Sequence, residues 1–184
     1  MQGPRQNNRG VPLARCGAPS GNVSTAGQRE RRHLRRLGEI FDSRRAPLFF
    51  LTVCARHRQP VLADGLPFRI LVGAWHDALP IHGWMVGRYV VMPDHVHFFA
   101  TPATESAKPL SACIGAWKQW TSRQMHELGL GGFAWQPEFF DHLLRSDESY
   151  GEKWEYVRCN PLRPGLVECA EGWPYQAEVH SLSW

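Results

Sequence analysis

Apolar residues recur along this chain in two rhythms, and their alternation predicts the architecture. Leu48 to Cys54 (LFFLTVC) is a nearly continuous apolar run, which suits a strand covered on both faces. After a loop from Arg56 to Gly65 the spacing becomes helical. Phe68, Leu71, Val72, Trp75 and Leu79 share one side of Leu66 to Leu79, and Pro80 and Gly83 are expected to end that helix. Two strands follow at 84–91 and 94–101, with Pro93-Asp94 turning the chain between them. A polar linker leads into a second helix from Leu110 to Leu128, which buries Leu110, Cys113, Ile114, Trp117 and either Trp120 or Thr121. Gly129, Gly131 and Gly132 break it. Phe139 to Arg145 reads as a fourth strand, and Ser149 to Asn160 as a third helix stopped by Pro161. The order β-α-β-β-α-β plus a final helix is α+β. Its simplest packing is a ferredoxin-like, four-stranded antiparallel sheet with two helices on one face. No internal repeat is visible. The tail, Pro161 to Trp184, is expected to lie over a sheet edge through Trp173, Tyr175 and Trp184.

The charge pattern divides the chain at about residue 45. The formal net charge over 184 residues is +4, but residues 1–45 hold ten Arg, no Lys and three acids, a local +7. The remaining residues therefore carry −3. Residues 1–45 have few aromatic residues and too little apolar surface to offset the entropy of ordering, so they read as a disordered basic arm ahead of one domain at 46–184. Such an arm either contacts phosphates without regard to sequence or is a solvated tail, and nucleic-acid contact is the preferred reading. The five cysteines form no CxxC pair and their number is odd, which argues against a disulfide framework and a structural zinc site. No stretch approaches the roughly 20 apolar residues of a membrane span, and no signal-like apolar region is visible. The expectation is a soluble, cytoplasmic protein.

The candidate chemistry begins at Met92-Pro93-Asp94-His95-Val96-His97. On a strand, His95 and His97 project from one face about 7 Å apart along the backbone, while Val96 points into the core. Two such imidazoles can converge on a divalent cation, or can simply line a solvated face. A second segment weighs on the choice. Tyr156 and Asn160 stand four residues apart, one turn from each other on the same helix face. A phenol can act as a covalent nucleophile beside a metal-polarised electrophile, and an amide oxygen is a workable third ligand for Mg²⁺ or Mn²⁺. Two His and one Asn leave positions open for substrate oxygens, which suits a phosphodiester. Tyr150, by contrast, has Trp154 four residues on, which cannot ligate a metal.

The segments MPDHVH (92–97), WQPEFFDHLLR (135–145) and YVRCNPLRPGLV (156–167) together resemble the single-tyrosine HUH transposases, specifically the REP-associated tyrosine transposases, over about residues 46–176. The resemblance implies an enzyme acting on single-stranded DNA that carries a hairpin. His95 and His97 would be metal ligands and Tyr156 the nucleophile. Asn160 would complete the metal site, where related transposases often carry Gln. Tyr156 would form a 5′-phosphotyrosine and release a 3′-hydroxyl, and reversal would rejoin DNA without ATP. Gln136, Asp141, His142, Arg145 and Arg158 are candidate DNA contacts, whereas Lys118 and Arg123 are expected to be solvated. A monomer is preferred to a homodimer. Two alternatives stay open. One is a hairpin-binding protein whose catalysis has lapsed. The other is a metal-dependent phosphodiesterase using water, which would need His142 or Asp141 as a further ligand.

Overall fold

The computed structural model describes residues 46–144 and 149–183. The arm read over residues 1–45, the candidate Arg145 and the tail residue Trp184 lie outside the described residues. Strand β1 (Phe49–Cys54) is the apolar run, and it pairs on both edges. Strands β2 (Trp84–Val91) and β3 (His95–Pro102) form the expected hairpin, and β4 (Phe140–Leu143) returns beside β1. Helix α1 spans Gly65–His82, α2 Leu110–Glu127 and α3 Tyr150–Arg158.

A short fifth strand, β5 (Gln176–Glu178), adds to the four predicted, giving the antiparallel order β4-β1-β3-β2-β5. Three residues without apolar alternation leave no periodic trace, so only the pairing with β2 reveals it. The tail does cover an edge as expected. The Val91 N–H donates to the Tyr175 carbonyl at 2.8 Å, and the Trp173 indole N–H donates to the Val91 carbonyl at 2.9 Å.

Side-chain alternation makes the sheet two-faced. Leu51, Val53, Val91, Val96 and Phe98 pack against Leu71 and Trp75 of α1 and against Ile114, Trp117 and Met125 of α2. The Trp75 and Trp117 rings stack there at 5.7 Å. The opposite face carries a smaller core of Leu48, Phe50, Val90, Met92 and Phe99, closed by Tyr150 and Val157 of α3 and by Trp173. The third helix therefore has the second face to itself.

Two local features differ from the sequence reading. Helix α1 runs through Pro80 to His82 and stops at Gly83, whose φ of 74° is left-handed and whose N–H caps the Leu79 carbonyl at 2.9 Å. A proline in the last turn removes a single backbone hydrogen bond, so glycine is the effective terminator. Lys118 is not simply solvated. Its ammonium donates to the carbonyls of Gln136, Pro137 and Glu138 at 2.9, 3.2 and 3.0 Å, tying α2 to the approach to β4.

The β2–β3 register shifts between Val86 and Tyr89, at Gly87-Arg88. Here α3 is anchored: the buried Tyr150 hydroxyl accepts from the Arg88 N–H at 3.2 Å. A Cβ on Gly87 would stand 2.5 Å from Leu182 Cδ1 and 2.9 Å from that hydroxyl. Gly87→Ala should therefore loosen the seat of α3, at a cost of about 1–3 kcal/mol from overpacking. Thermal unfolding reads the cost, and a melting midpoint equal to wild type would contradict the close approach.

Candidate active site

Strand geometry places His95 and His97 on the face that α3 covers, while Val96 is buried on the other. Their Nε2 atoms lie 3.1 Å apart with the rings edge to face. Each Nδ1 is already engaged. His95 Nδ1 lies 2.6 Å from Asp94 Oδ1, and His97 Nδ1 lies 2.8 Å from the hydroxyl of Thr52, its cross-strand partner. A carboxylate or hydroxyl on Nδ1 fixes ring orientation and aims Nε2 at the shared position, which is the arrangement that supports metal-ligating histidines. Two nitrogens bound cis to one cation at about 2.1 Å stand roughly 3.0–3.4 Å apart. The observed spacing fits that requirement.

Burial favours the neutral form of both rings. Burial pushes His97 down to about 3, helped by the positive fields of His95, Arg163 and Arg58. Burial also lowers His95, against an opposing hydrogen bond and charge from Asp94. Because the unfolded chain takes up the His97 proton near pH 6.5 and the folded chain only near 3, stability is lost as pH falls through that window. In chelator-treated protein the urea midpoint should fall between pH 6.5 and 4, and fall less in His97→Gln. Equal slopes would contradict the burial argument.

Arg58 was not visible as a site residue. Its Nε pairs with Asp94 Oδ2 at 2.7 Å, so Arg58, Asp94 and His95 form a relay. Arg58 and its neighbour His57 hold φ values of 55° and 56°, in the left-handed region that costs a non-glycine residue about 1–2 kcal/mol. The ion pair and a contact from the guanidinium to Cys54 Sγ at 2.9 Å hold the turn in that shape. No sequence rule announces two left-handed residues in Arg-His-Arg.

On α3 the two tyrosines separate cleanly. Tyr150 is 7% exposed and anchors the helix, whereas Tyr156 is 59% exposed. Cations surround the latter: the Arg163 guanidinium lies 4.4 Å from its ring centroid and the Lys153 ammonium 5.9 Å. Lys153 also lies 5.1 Å from the ring of Phe50, which stacks on His97 at 5.5 Å. The exposed phenol thus connects to the imidazole pair through Lys153 and Phe50. Asn160 opens a 3-10 turn, Asn160–Leu162, directly after α3, and is half-buried. Among the described residues its side-chain amide makes no hydrogen bond.

The other candidates fall into different settings. Gln136 is structural: its N–H donates to the Cys54 carbonyl at 2.8 Å and its amide to Ala55 O at 3.4 Å. Arg158 is held by Glu155 at 3.4 Å and by Glu171. His142 lies opposite Phe50 and so shares the histidine face, whereas Asp141 lies opposite Leu51 and shares the face that α1 and α2 cover, where burial raises its carboxyl. Among the described residues, no cluster of three or more His, Cys, Asp or Glu is placed to hold a metal. For a cation on the imidazole pair, an amide such as that of Asn160 has the right chemistry for a further ligand. No helix among the described residues is long and apolar enough to cross a membrane.

No family model matches the chain. It is 29% identical over 127 residues to the REP-associated tyrosine transposase of Escherichia coli (strain K12), covering 69% of this chain and 73% of that protein. It is 26% identical over 115 residues to a Haemophilus influenzae protein provisionally given the same designation, covering 51% of this chain and 62% of the other. Its fold matches a solved structure of a REP-associated tyrosine transposase bound to a REP hairpin, with a TM-score of 0.63, 24% identity and 81% of each chain covered.

Proposed function

We propose that this chain, a relative of the REP-associated tyrosine transposases, is a transposase that nicks and rejoins single-stranded DNA carrying a hairpin. The observation that carries the reading is the pairing of two Nε2 atoms 3.1 Å apart with an exposed tyrosine on the helix covering the same face. His95, His97 and Asn160 would hold a divalent cation, Mg²⁺ or Mn²⁺, which would supply charge compensation to the scissile phosphate.

The chain's residues do the rest. Asp94 and Thr52 keep the two imidazoles oriented, with their Nε2 atoms facing each other. Tyr156 attacks phosphorus in line; its oxygen bonds to phosphorus as the bond to the 3′-oxygen breaks, and the phenolic proton ends on that oxygen. The product is a 5′-phosphotyrosine and a 3′-hydroxyl, and the same steps in reverse rejoin DNA. The bond energy is retained, so no nucleotide triphosphate is consumed. His142, Arg145 and Arg158 are secondary candidates for backbone contact.

Incubation of the chain with end-labelled, hairpin-bearing single-stranded DNA and Mn²⁺ tests this. A protein–DNA adduct that survives denaturation supports it. Cleavage without an adduct favours a water-using phosphodiesterase, and hairpin binding without cleavage favours a lapsed enzyme.

A further inference from the structure

Tyr156 is the meeting point of two cations that the transposase reading has not used. Arg163 is exposed and lies 4.4 Å from the Tyr156 ring centroid. Lys153, one helical turn before Tyr156, has its ammonium 5.9 Å from that centroid and 5.1 Å from the centroid of Phe50. Arg158 shows what a committed cation looks like on this helix, since Glu155 and Glu171 hold it. Among the described residues no carboxylate pairs with Lys153 or Arg163. Two positive charges thus gather at an exposed phenol with no carboxylate paired to either among the described residues, an arrangement that favours a negative visitor.

We propose that Lys153 and Arg163 form an anion subsite that grips the scissile phosphodiester, and then the phosphotyrosine made from it, between Tyr156 and the His95–His97 pair. The inference rests on the function proposed above. Lys153 spans from Tyr156 to Phe50, and Phe50 stacks on His97 at 5.5 Å, so a phosphate between nucleophile and imidazoles lies within reach of the ammonium.

The chemistry explains why cations belong on the tyrosine side. A phosphodiester carries one negative charge, and a second develops as the phenol oxygen attacks. The guanidinium and ammonium can hold a nonbridging oxygen of that phosphate from the tyrosine side and fix the in-line approach. When the bond to Tyr156 forms and the bond to the 3′-oxygen breaks, the phosphate remains a singly charged diester. The same two side chains therefore hold both substrate and intermediate, keeping the adduct aligned until a 3′-hydroxyl returns. Resting on the ring face is a reserve position for a guanidinium, which leaves it readily for a phosphate.

The test uses the full chain with labelled hairpin-bearing single-stranded DNA and Mn²⁺, and measures adduct formation in single turnover at saturating DNA. Arg163→Ala should slow the step about 10²-fold, the typical loss for removing one donor to a developing oxyanion. Lys153→Ala should slow it roughly 10-fold, and Arg163→Lys should recover part of the arginine loss. Affinity for uncleaved DNA should change far less, with the salt dependence of binding reduced by about one unit of slope. Should Arg163→Ala melt early, Arg163→Lys and Lys153→Ala decide alone. Wild-type rates at saturation in these variants, or losses confined to affinity, overturn the subsite while leaving the transposase reading intact. A wild-type chain that forms no adduct removes both.

Discussion

Tyr156→Phe is expected to form no denaturation-resistant adduct, whereas Tyr150→Phe forms it at close to the wild-type rate. Both substitutions delete one hydroxyl from the same nine-residue helix, and their consequences differ because of where each hydroxyl points. Tyr156 is exposed, beside two cations and on the face that carries the imidazole pair. Without its oxygen no phosphotyrosine can form, and loss of a covalent nucleophile costs more than about 10⁴-fold. Its fold and hairpin affinity should be those of the wild type. Tyr150 accepts a hydrogen bond from the Arg88 N–H, and burial raises its phenol's pKa, so it is a poor source of phenolate. Phenylalanine there leaves that N–H unpaired and costs about 1–3 kcal/mol of stability, not chemistry. A Tyr156→Phe chain that still yields an adduct would move the nucleophile elsewhere.

The second large effect is at His97. Replacing it with alanine removes one of two nitrogens that face each other across 3.1 Å, and with it the chelate. Adduct formation at saturating DNA and fixed Mn²⁺ should fall by about 10³-fold or more, with several kcal/mol of charge stabilisation lost. Raising Mn²⁺ should recover little, since a single imidazole is a weak site. Thr52→Val is the gentler companion. It removes only the hydroxyl that orients His97 and should weaken metal affinity roughly 10–100-fold. Titrating Mn²⁺ against single-turnover rate separates the two. Unchanged rates in His97→Ala would mean that the pair is structural.

The sequence carried the strand faces well. Alternation put His95 and His97 on one side and Val96 in the core, and the continuous apolar run of β1 did mark a strand paired on both edges. Spacing also separated Tyr150 from Tyr156, although it did not reveal that the first is the anchor. What stayed hidden depends on long-range pairing. β5 exists because the tail reaches β2, and Lys118 is occupied because its ammonium meets three carbonyls some twenty residues away. The face assignment of Asp141 needed the β1–β4 register, which no local pattern supplies. Lys153 was within reach of the spacing rule, three residues before Tyr156. Arg163 and Arg58 were not, because their positions follow from a 3-10 turn and from two left-handed residues.

The two-faced sheet has a consequence for how such a chain can change over generations. The larger core and the chemistry lie on opposite surfaces of one thin layer, with the histidines, Thr52 and the α3 side chains on one and most of the aromatic packing on the other. Substitutions that would silence the proposed nicking need not touch what keeps the chain folded. On that reading a lineage can shed catalysis by drift and persist as a folded scaffold, and the reverse change, restoring a single lost side chain, remains one step away.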